Sequence, residues 1–483
     1  MSNGRHNSRH IAKSAVWTVA GRTISMSLKF LTVPILARLL MPEEFGAIAA
    51  SITIVIFLSM FGAMGIPSAL VTHREDNGAL WNQAFTYALI VGGLLAVVVA
   101  WGSGLISQWL GAADIWKVLA ALSFLIPFNI LGDISEAALT KRMQFDKLAI
   151  WQVASDVLGA LAAIGAALVH WGVWALVAQQ FVSAAIRVAG NLFVAGIRPR
   201  PVWPLADIAE MGHFGSRVMF ADLLLYFCIQ GPVIIVTRLL GTSATGFFSV
   251  PNRFVELPNQ IILSSLASVL FPSFAAMADQ PRRLARALLR SAQLTTSLQA
   301  PVMFGLAAVA EQAMYVLFGE RWIQAWPVFA ILALSKGMMA PCGGFGSFLK
   351  GIGHATLLWR LTALRAALIM GLCIGGGLLG GLTGVAGGIL VANTVFMLVY
   401  AATVFKVGQV GVWLGLRKVL WLIAQAAVMA GLVHGLLGAL HGYGLAPWLE
   451  LGLAIAFCGL VYGAMVMLFQ QTTKETVLQA IRT

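Results

Sequence analysis

"RLLMPEEFG" occupies residues 38–46, and "RLLGTSATG" occupies residues 238–246. Each writes Arg-Leu-Leu, five further residues and then Gly, and each closes a long apolar stretch. A frame repeated at equivalent ends of two apolar segments predicts a duplicated helical unit. Two weaker correspondences follow in order. "LTKRMQFDK" (139–147) pairs with "LKGIGHATL" (349–357), and "WGVWALVAQ" (171–179) pairs with "TGVAGGILVA" (383–392) through a shared Gly-Val. The offset drifts from 200 to about 210 to 212, as small insertions after a duplication make it drift.

The composition says where these apolar stretches reside. The chain has 483 residues, of which 59% are hydrophobic and only 10% charged, with a mean hydropathy of +0.88. A soluble domain carries about 25% charged residues. So few charges cannot cover a surface this large in water, so the chain is an integral membrane protein. Its 50 glycines suit helices that pack closely in lipid. The net charge of +13 belongs to loops rather than to nucleic-acid binding, because no basic segment is long enough to form a domain. The four cysteines, Cys228, Cys342, Cys373 and Cys458, lie singly in apolar stretches without metal-ligand or CxxC spacing. No cofactor or metal is expected.

A spanning helix needs about 20 mostly apolar residues. That rule yields fourteen candidate spans: 14–40, 45–70, 81–109, 115–139, 148–169, 172–197, 210–239, 244–274, 288–318, 324–350, 357–380, 382–405, 415–440 and 448–471. The first has no small-residue cleavage signature at a signal-peptide distance and reads as an uncleaved span. Alternate connections differ sharply in basic charge. Twenty Lys and Arg, among them Lys141, Arg142, Arg283 and Lys418, fall on one side and four, Arg38, Lys117, Arg238 and Arg321, on the other. The basic side is cytoplasmic, which puts both termini inside and both Arg-Leu-Leu frames at the outer face. No connection is long enough to hold a soluble domain.

The expected architecture is therefore all-α. Residues 1–200 form an N-terminal lobe of spans 1–6, and 205–407 a C-terminal lobe of spans 7–12. Residues 408–483 add a final pair and a cytoplasmic tail. Six is even, so the two copies share one orientation and are related by an axis along the membrane normal. Transporters that rock one half against the other around a central site are built this way.

Charges inside spans are the candidate site. Facing lipid at mid-bilayer, each costs about 2.5–3.5 kcal/mol or more, so most must face protein or a watery cavity. Arg22 and Lys29 are seven apart on span 1 and share a face. On span 8, Arg253, Glu256 and Gln260 follow at i, i+3 and i+7. Asp222, Tyr226 and Gln230 are spaced by four on span 7, where Arg217 also lies. Arg22, Lys29, Arg217 and Arg253 are the expected cationic cavity, with Asp222 and Glu256 as tuning or proton-coupling partners. Plainer readings remain open: Arg253 and Glu256 can neutralise each other within one helix, Lys29 can snorkel along its stem, and Asp133 and Glu136 can pair with Lys141 or Arg142. Such a cavity expects an anionic cargo and lacks the acidic cluster that a cation exporter uses. Nothing resembles a catalytic site: GxSxG, a P-loop, HExxH and paired carboxylates with a histidine are all absent from the sequence.

"ARLLMPEEFGAIA", "TKRMQFDKLA", "GVWALVAQQ" and "TRLLGTSATGFFSVPNR" together resemble Wzx-type polysaccharide flippases. These belong to the multidrug/oligosaccharidyl-lipid/polysaccharide exporter superfamily. The resemblance covers nearly the whole chain and lies nearest colanic acid and exopolysaccharide exporters. It implies twelve to fourteen helices in two lobes around a cationic cavity. It also implies export of undecaprenyl-diphosphate-linked sugar units to the periplasmic leaflet of the bacterial inner membrane. Lipid-linked oligosaccharide, membrane lipids, and polysaccharide polymerase and co-polymerase proteins are the partners it implies. Two alternatives stand beside it: a multidrug or peptidoglycan-precursor exporter of the same superfamily, and a polysaccharide polymerase or ligase. Those enzymes usually carry a sizeable outer loop, and this chain has none.

Overall fold

The computed structural model describes residues 21–469 apart from 22, 74–77, 198, 204 and 443–444. Scattered side chains at 206–221, 265–268 and 441 also lie outside the description. Among the described residues there are helices and turns and no strand. Among the described residues eight helices are long and apolar enough to cross a membrane, and eleven are when three bent pairs are each taken as one span. The bends are 42° between Ala113–Ser123 and Leu125–Lys141, 74° between Pro281–Ala308 and Ala310–Phe318, and 53° between Glu320–Met338 and Ala340–Gly351. The chain divides into two compact units, Met1–Ser249 and Val250–Thr483. That division is by contact, whereas 200/205 is a division by repeat.

In the first unit a helix over 23–39 ends at Met41, whose backbone is extended (φ −85°, ψ 153°). The helix Pro42–Ala63 begins at once. Proline at its first position loses no useful N–H there, and the Glu44 carboxylate accepts from the Met41 N–H at 2.7 Å. The second frame makes the same kind of corner. Helix Ala206–Ala276 is broken at Gly241, whose φ of 83° and ψ of −176° suit only glycine. The break at 41 and the break at 241 fall at the same place in their frames.

Two glycines close these corners on each other. A Cβ at Gly46 would lie 1.8 Å from the Thr242 carbonyl oxygen, and one at Gly246 would lie 1.9 Å from that of Pro42. Position 42 meets 246 and position 46 meets 242, the reciprocal pattern of an isologous two-fold contact. Further along, the backbones of Gly65 (φ 67°) and Gly215 meet in the same fashion, each hypothetical Cβ falling 2.2–2.3 Å from a carbonyl oxygen across the contact.

Several hydroxyl side chains within the apolar helices bond back to their own helix, as hydrocarbon favours. Thr53 and Ser59 donate back to the Ala49 and Val55 carbonyls at 2.7 and 2.8 Å. Outward faces are apolar and bare: Trp101, Phe193 and Leu379 are 90%, 81% and 93% exposed.

The second unit contains helices Pro281–Ala308, Trp326–Met338, Ala355–Val407, Val412–His441 and Pro447–Phe469. The basic stretch Arg282–Arg290, expected largely as a loop, is the opening of helix Pro281–Ala308. Helix Ala355–Val407 is broken at Gly380 and Gly381, and its two halves fold against each other. A Cβ on Gly376 would sit 2.1 Å from the Gly384 carbonyl, and one on Gly388 would sit 2.2 Å from that of Leu372. The run "GGLLGGLTGVAGG" is thus a helical hairpin whose backbones touch, as small residues permit in membranes.

Candidate functional site

The expected site residues divide between the two units. In the first, Lys29 Nζ lies 3.3 Å from Asp156 Oδ1. Lys29 is half-exposed and Asp156 is 9% exposed, so the ammonium leans over a covered carboxylate. Ser25 Oγ also donates to Asp156 Oδ2, and Gln152 Nε2 does so at 3.4 Å. Lys29 therefore does not snorkel away from protein. It is a tethered cation with much of its charge balanced. Arg22 lies outside the described residues, as does the side chain of Arg217.

In the second unit Glu256 does not pair with Arg253, three residues before it. Lys336 Nζ reaches Glu256 Oε2 at 2.5 Å. Asn259 Nδ2 and Gln260 Nε2 donate to Glu256 Oε1 at 3.0 and 3.4 Å. Gln299 Nε2 then donates to Asn259 Oδ1 at 2.6 Å and to the Lys336 carbonyl at 3.2 Å. Three helices are stitched through one carboxylate, and both charges are about four-fifths covered. Arg253 is exposed and makes no hydrogen bond or ion pair among the described residues. Its guanidinium keeps all five donors for something else.

Other intramembrane charges are held structurally. Arg187 Nη1 lies 3.8 Å from Asp133 Oδ1, and Gly132 makes room for it, since a Cβ there would strike the guanidinium at 2.6 Å. Asp133 thus turns to Arg187 rather than to Lys141 or Arg142; Arg142 instead donates to the Ala195 carbonyl at 2.6 Å. Arg365 donates to Asn393 Oδ1 at 3.2 Å and lies over the Phe396 ring.

The described structure also assembles the acidic cluster that sequence did not anticipate. A cavity of about 330 Å³ in the first unit is lined by Asp133, Glu136 and Asp222, together with Ser68, Thr140 and Met219 among others. Asp222 therefore lines one cavity with two other carboxylates. Among the described residues no lysine or arginine lines this cavity.

The sequence profile of the polysaccharide biosynthesis protein family matches residues 35–327, more than half of the chain. The chain belongs to this family. It is 35% identical over 476 residues to the succinoglycan biosynthesis transport protein ExoT of Rhizobium meliloti (strain 1021), across 99% of this chain and 96% of that protein. It is 21% identical over 388 residues to the lipopolysaccharide biosynthesis protein WzxC of Escherichia coli (strain K12), across 79% and 78%. Its fold matches the lipid II flippase MurJ in an inward closed conformation, with a TM-score of 0.78 at 13% identity over 94% of this chain and 98% of that one. The succinoglycan relative is a transport protein and the fold neighbour a flippase, neither of them an enzyme. The chain is accordingly a multi-pass membrane protein of the transporter kind.

Sequence reasoning missed Asp156, Lys336, Asn259 and Gln299 as site members. Asn259 had a signal, because it shares the helical spacing of Glu256. Gln299 stands in "TTSLQAP", a polar run inside a span. Nothing local links Lys336 to a carboxylate 80 residues earlier.

Proposed function

We propose that this protein flips lipid-linked oligosaccharide repeat units from the cytoplasmic to the periplasmic leaflet of the bacterial inner membrane. The observation that carries this reading is the 35% identity to a succinoglycan transport protein along 99% of the chain. The cargo is an undecaprenyl-diphosphate carrying a short glycan. Its diphosphate cannot cross hydrocarbon, because burying isolated charge costs tens of kcal/mol. Exposed Arg253 is the principal grip, since a guanidinium takes phosphate bidentately. Arg22, Lys29 and Arg217 complete the cationic path, with the lipid tail left in the bilayer. The inside-negative potential assists, by about 2.3 kcal/mol per charge per 100 mV.

Alternating access is supported by the reciprocal glycine corner, which has the form of a joint between two equivalent halves. Counting each glycine-broken helix as two spans and adding the helix over 23–39 raises the eleven spans to fourteen. In this reading spans 1–6 and 7–12 are the two lobes, spans 13 and 14 an added pair, and both termini are cytoplasmic. Polysaccharide polymerase and co-polymerase proteins are downstream partners.

The test is surface polysaccharide in a strain lacking the transporter, normalised to the level of the introduced protein in the membrane. Arg253→Ala is expected to lose export, and Arg253→Lys to retain part of it, because charge persists while the fork is lost. Full export by stably inserted Arg253→Ala removes the phosphate-grip mechanism.

A further inference from the structure

Each unit sets a lysine on a carboxylate, Lys29 on Asp156 and Lys336 on Glu256, and the two pairs are built alike. Neutral donors share each carboxylate: Ser25 and Gln152 on Asp156, Asn259 and Gln260 on Glu256. The lysines differ in what can reach them. The Lys336 side chain is 18% exposed and its Nζ lies 2.5 Å from the carboxylate. The Lys29 side chain is 49% exposed and its Nζ stands off at 3.3 Å. Lys336 is enclosed with its partner, whereas Lys29 can be approached by a ligand while it is paired.

The two oxygens of Asp156 divide the work. Oδ1 takes the Lys29 ammonium, and Oδ2 accepts from Ser25 Oγ and from Gln152 Nε2. Ser25 is four residues before Lys29 on the helix over 23–39, and Gln152 is four before Asp156 on helix Phe145–Leu168. Both donors therefore stay on Asp156 if Lys29 swings away. A covered carboxylate stripped of every partner is costly, and this one is not stripped. The lysine stem is flexible and its ammonium a compact point charge, so one anionic oxygen replaces another without a fork to realign.

Depth gives such an anion a use. Lys29 is ten residues from the end of its helix at 39, about 15 Å along the axis. In the flippase reading that is near the middle of a hydrocarbon core about 30 Å thick. A cation kept there for a diphosphate needs a counter-charge between cargoes.

We propose that Asp156 stands in for the phosphate: it holds Lys29 when no cargo is bound, yields it to the diphosphate, and takes it back at release. The inference rests on the flippase reading. Asp156 is a positioning residue that acts through Lys29, while the enclosed Lys336 stays on Glu256 throughout.

The probe is undecaprenyl diphosphate, bound to the purified full chain in nanodiscs of neutral phosphatidylcholine. Export is measured alongside as surface polysaccharide per amount of membrane protein. Asp156→Asn removes the competing charge and frees Lys29. Affinity should rise about fivefold, which is about 1 kcal/mol at 1.4 kcal/mol per decade, the scale of a part-exposed ion pair. Export should fall at the same time, because nothing draws Lys29 off the phosphate. An aspartate that only holds helices together gives the other pattern, weaker binding with weaker export, and that result overturns the proposal, as does unchanged affinity. Lys29→Met should weaken binding, and Asp156→Asn added to it should gain less than about twofold, since the gain runs through Lys29. A full gain in that background is a general charge effect and also overturns it. If Asp156→Asn fails to insert, Ser25→Ala reads the same exchange. It takes a donor from Asp156, ties Lys29 more tightly to it, and should weaken binding about threefold. Equal weakening in the Lys29→Met background counts against the proposal. Wild type that does not bind the probe refutes the flippase reading itself, a result distinct from equal binding by wild type and Asp156→Asn.

Discussion

Gly46→Ala tests the corner where the two frames meet. Ordinary contact for a Cβ begins at 3.4 Å, and here the new methyl would lie 1.8 Å from the Thr242 oxygen, so the two backbones must part by about 1.6 Å. Alanine gains about 1 kcal/mol of helix propensity over glycine, but that gain is present whether the corner is open or shut and cancels between them. What remains is overpacking of the shut form, about 1–3 kcal/mol. At 1.4 kcal/mol per decade, the shut population falls by a factor of about 5 to 150. Gly246→Ala should behave alike, since its methyl would lie 1.9 Å from the Pro42 oxygen. The double variant should cost less than the sum, because one parting relieves both contacts. The assay is labelling of a single cysteine introduced at Gln230, by a membrane-impermeant maleimide added outside intact cells, in a background free of the four native cysteines. Labelling should quicken in each variant, and export should fall. Gly438→Ala is the control, because its Cβ meets nothing within 4 Å. If Gly46→Ala labels and exports like wild type at normal membrane level, the corner is not a joint that opens.

The Glu256–Lys336 pair predicts a stability signature: Lys336→Met strands a largely covered carboxylate and should cost about 3 kcal/mol, read as a lowered Tm of purified protein in detergent. Replacing both partners by methionine should recover much of the loss, and a double variant as unstable as the single would show that the pair is not the source. For topology, reporter fusions after residues 143, 205 and 284 should read cytoplasmic and fusions after 42, 114 and 242 periplasmic, with two inversions enough to reject the orientation. Arg283→Ala, at the opening of helix Pro281–Ala308, should leave export near wild type, because among the described residues the Arg283 guanidinium bonds only the nearby Gln280 side chain, at 2.9 Å.

The helices were legible because lipid leaves a chain few options: a long apolar run must satisfy its backbone internally. Even the breaks at Met41 and Gly241 were marked by the repeated frame. Partnerships across the fold were not legible. Lys29 meets Asp156, Asp133 meets Arg187 and Lys336 meets Glu256, each across a separation no helical periodicity spans. The acidic cavity was hidden for the same reason, since Asp222 reaches Asp133 and Glu136 only through the packing of separate helices. Spacing along one helix suggested Arg253 with Glu256, but Lys336 on a neighbouring helix takes that carboxylate.

On the proposed duplication, the glycine corner also accounts for the way the two frames differ. Each glycine rests on a carbonyl oxygen of the opposite copy, that of Thr242 or of Pro42, and every residue type carries a carbonyl. The surface each copy offers the other is therefore blind to side-chain identity. Met-Pro-Glu-Glu-Phe in one copy and Gly-Thr-Ser-Ala-Thr in the other share no residue, yet each is followed by the same glycine. On the proposed duplication the two frames could drift apart at every one of these positions but 241, whose φ of 83° holds that copy to glycine. At the sixth, either copy that acquired a side chain would have been wedged away from its twin.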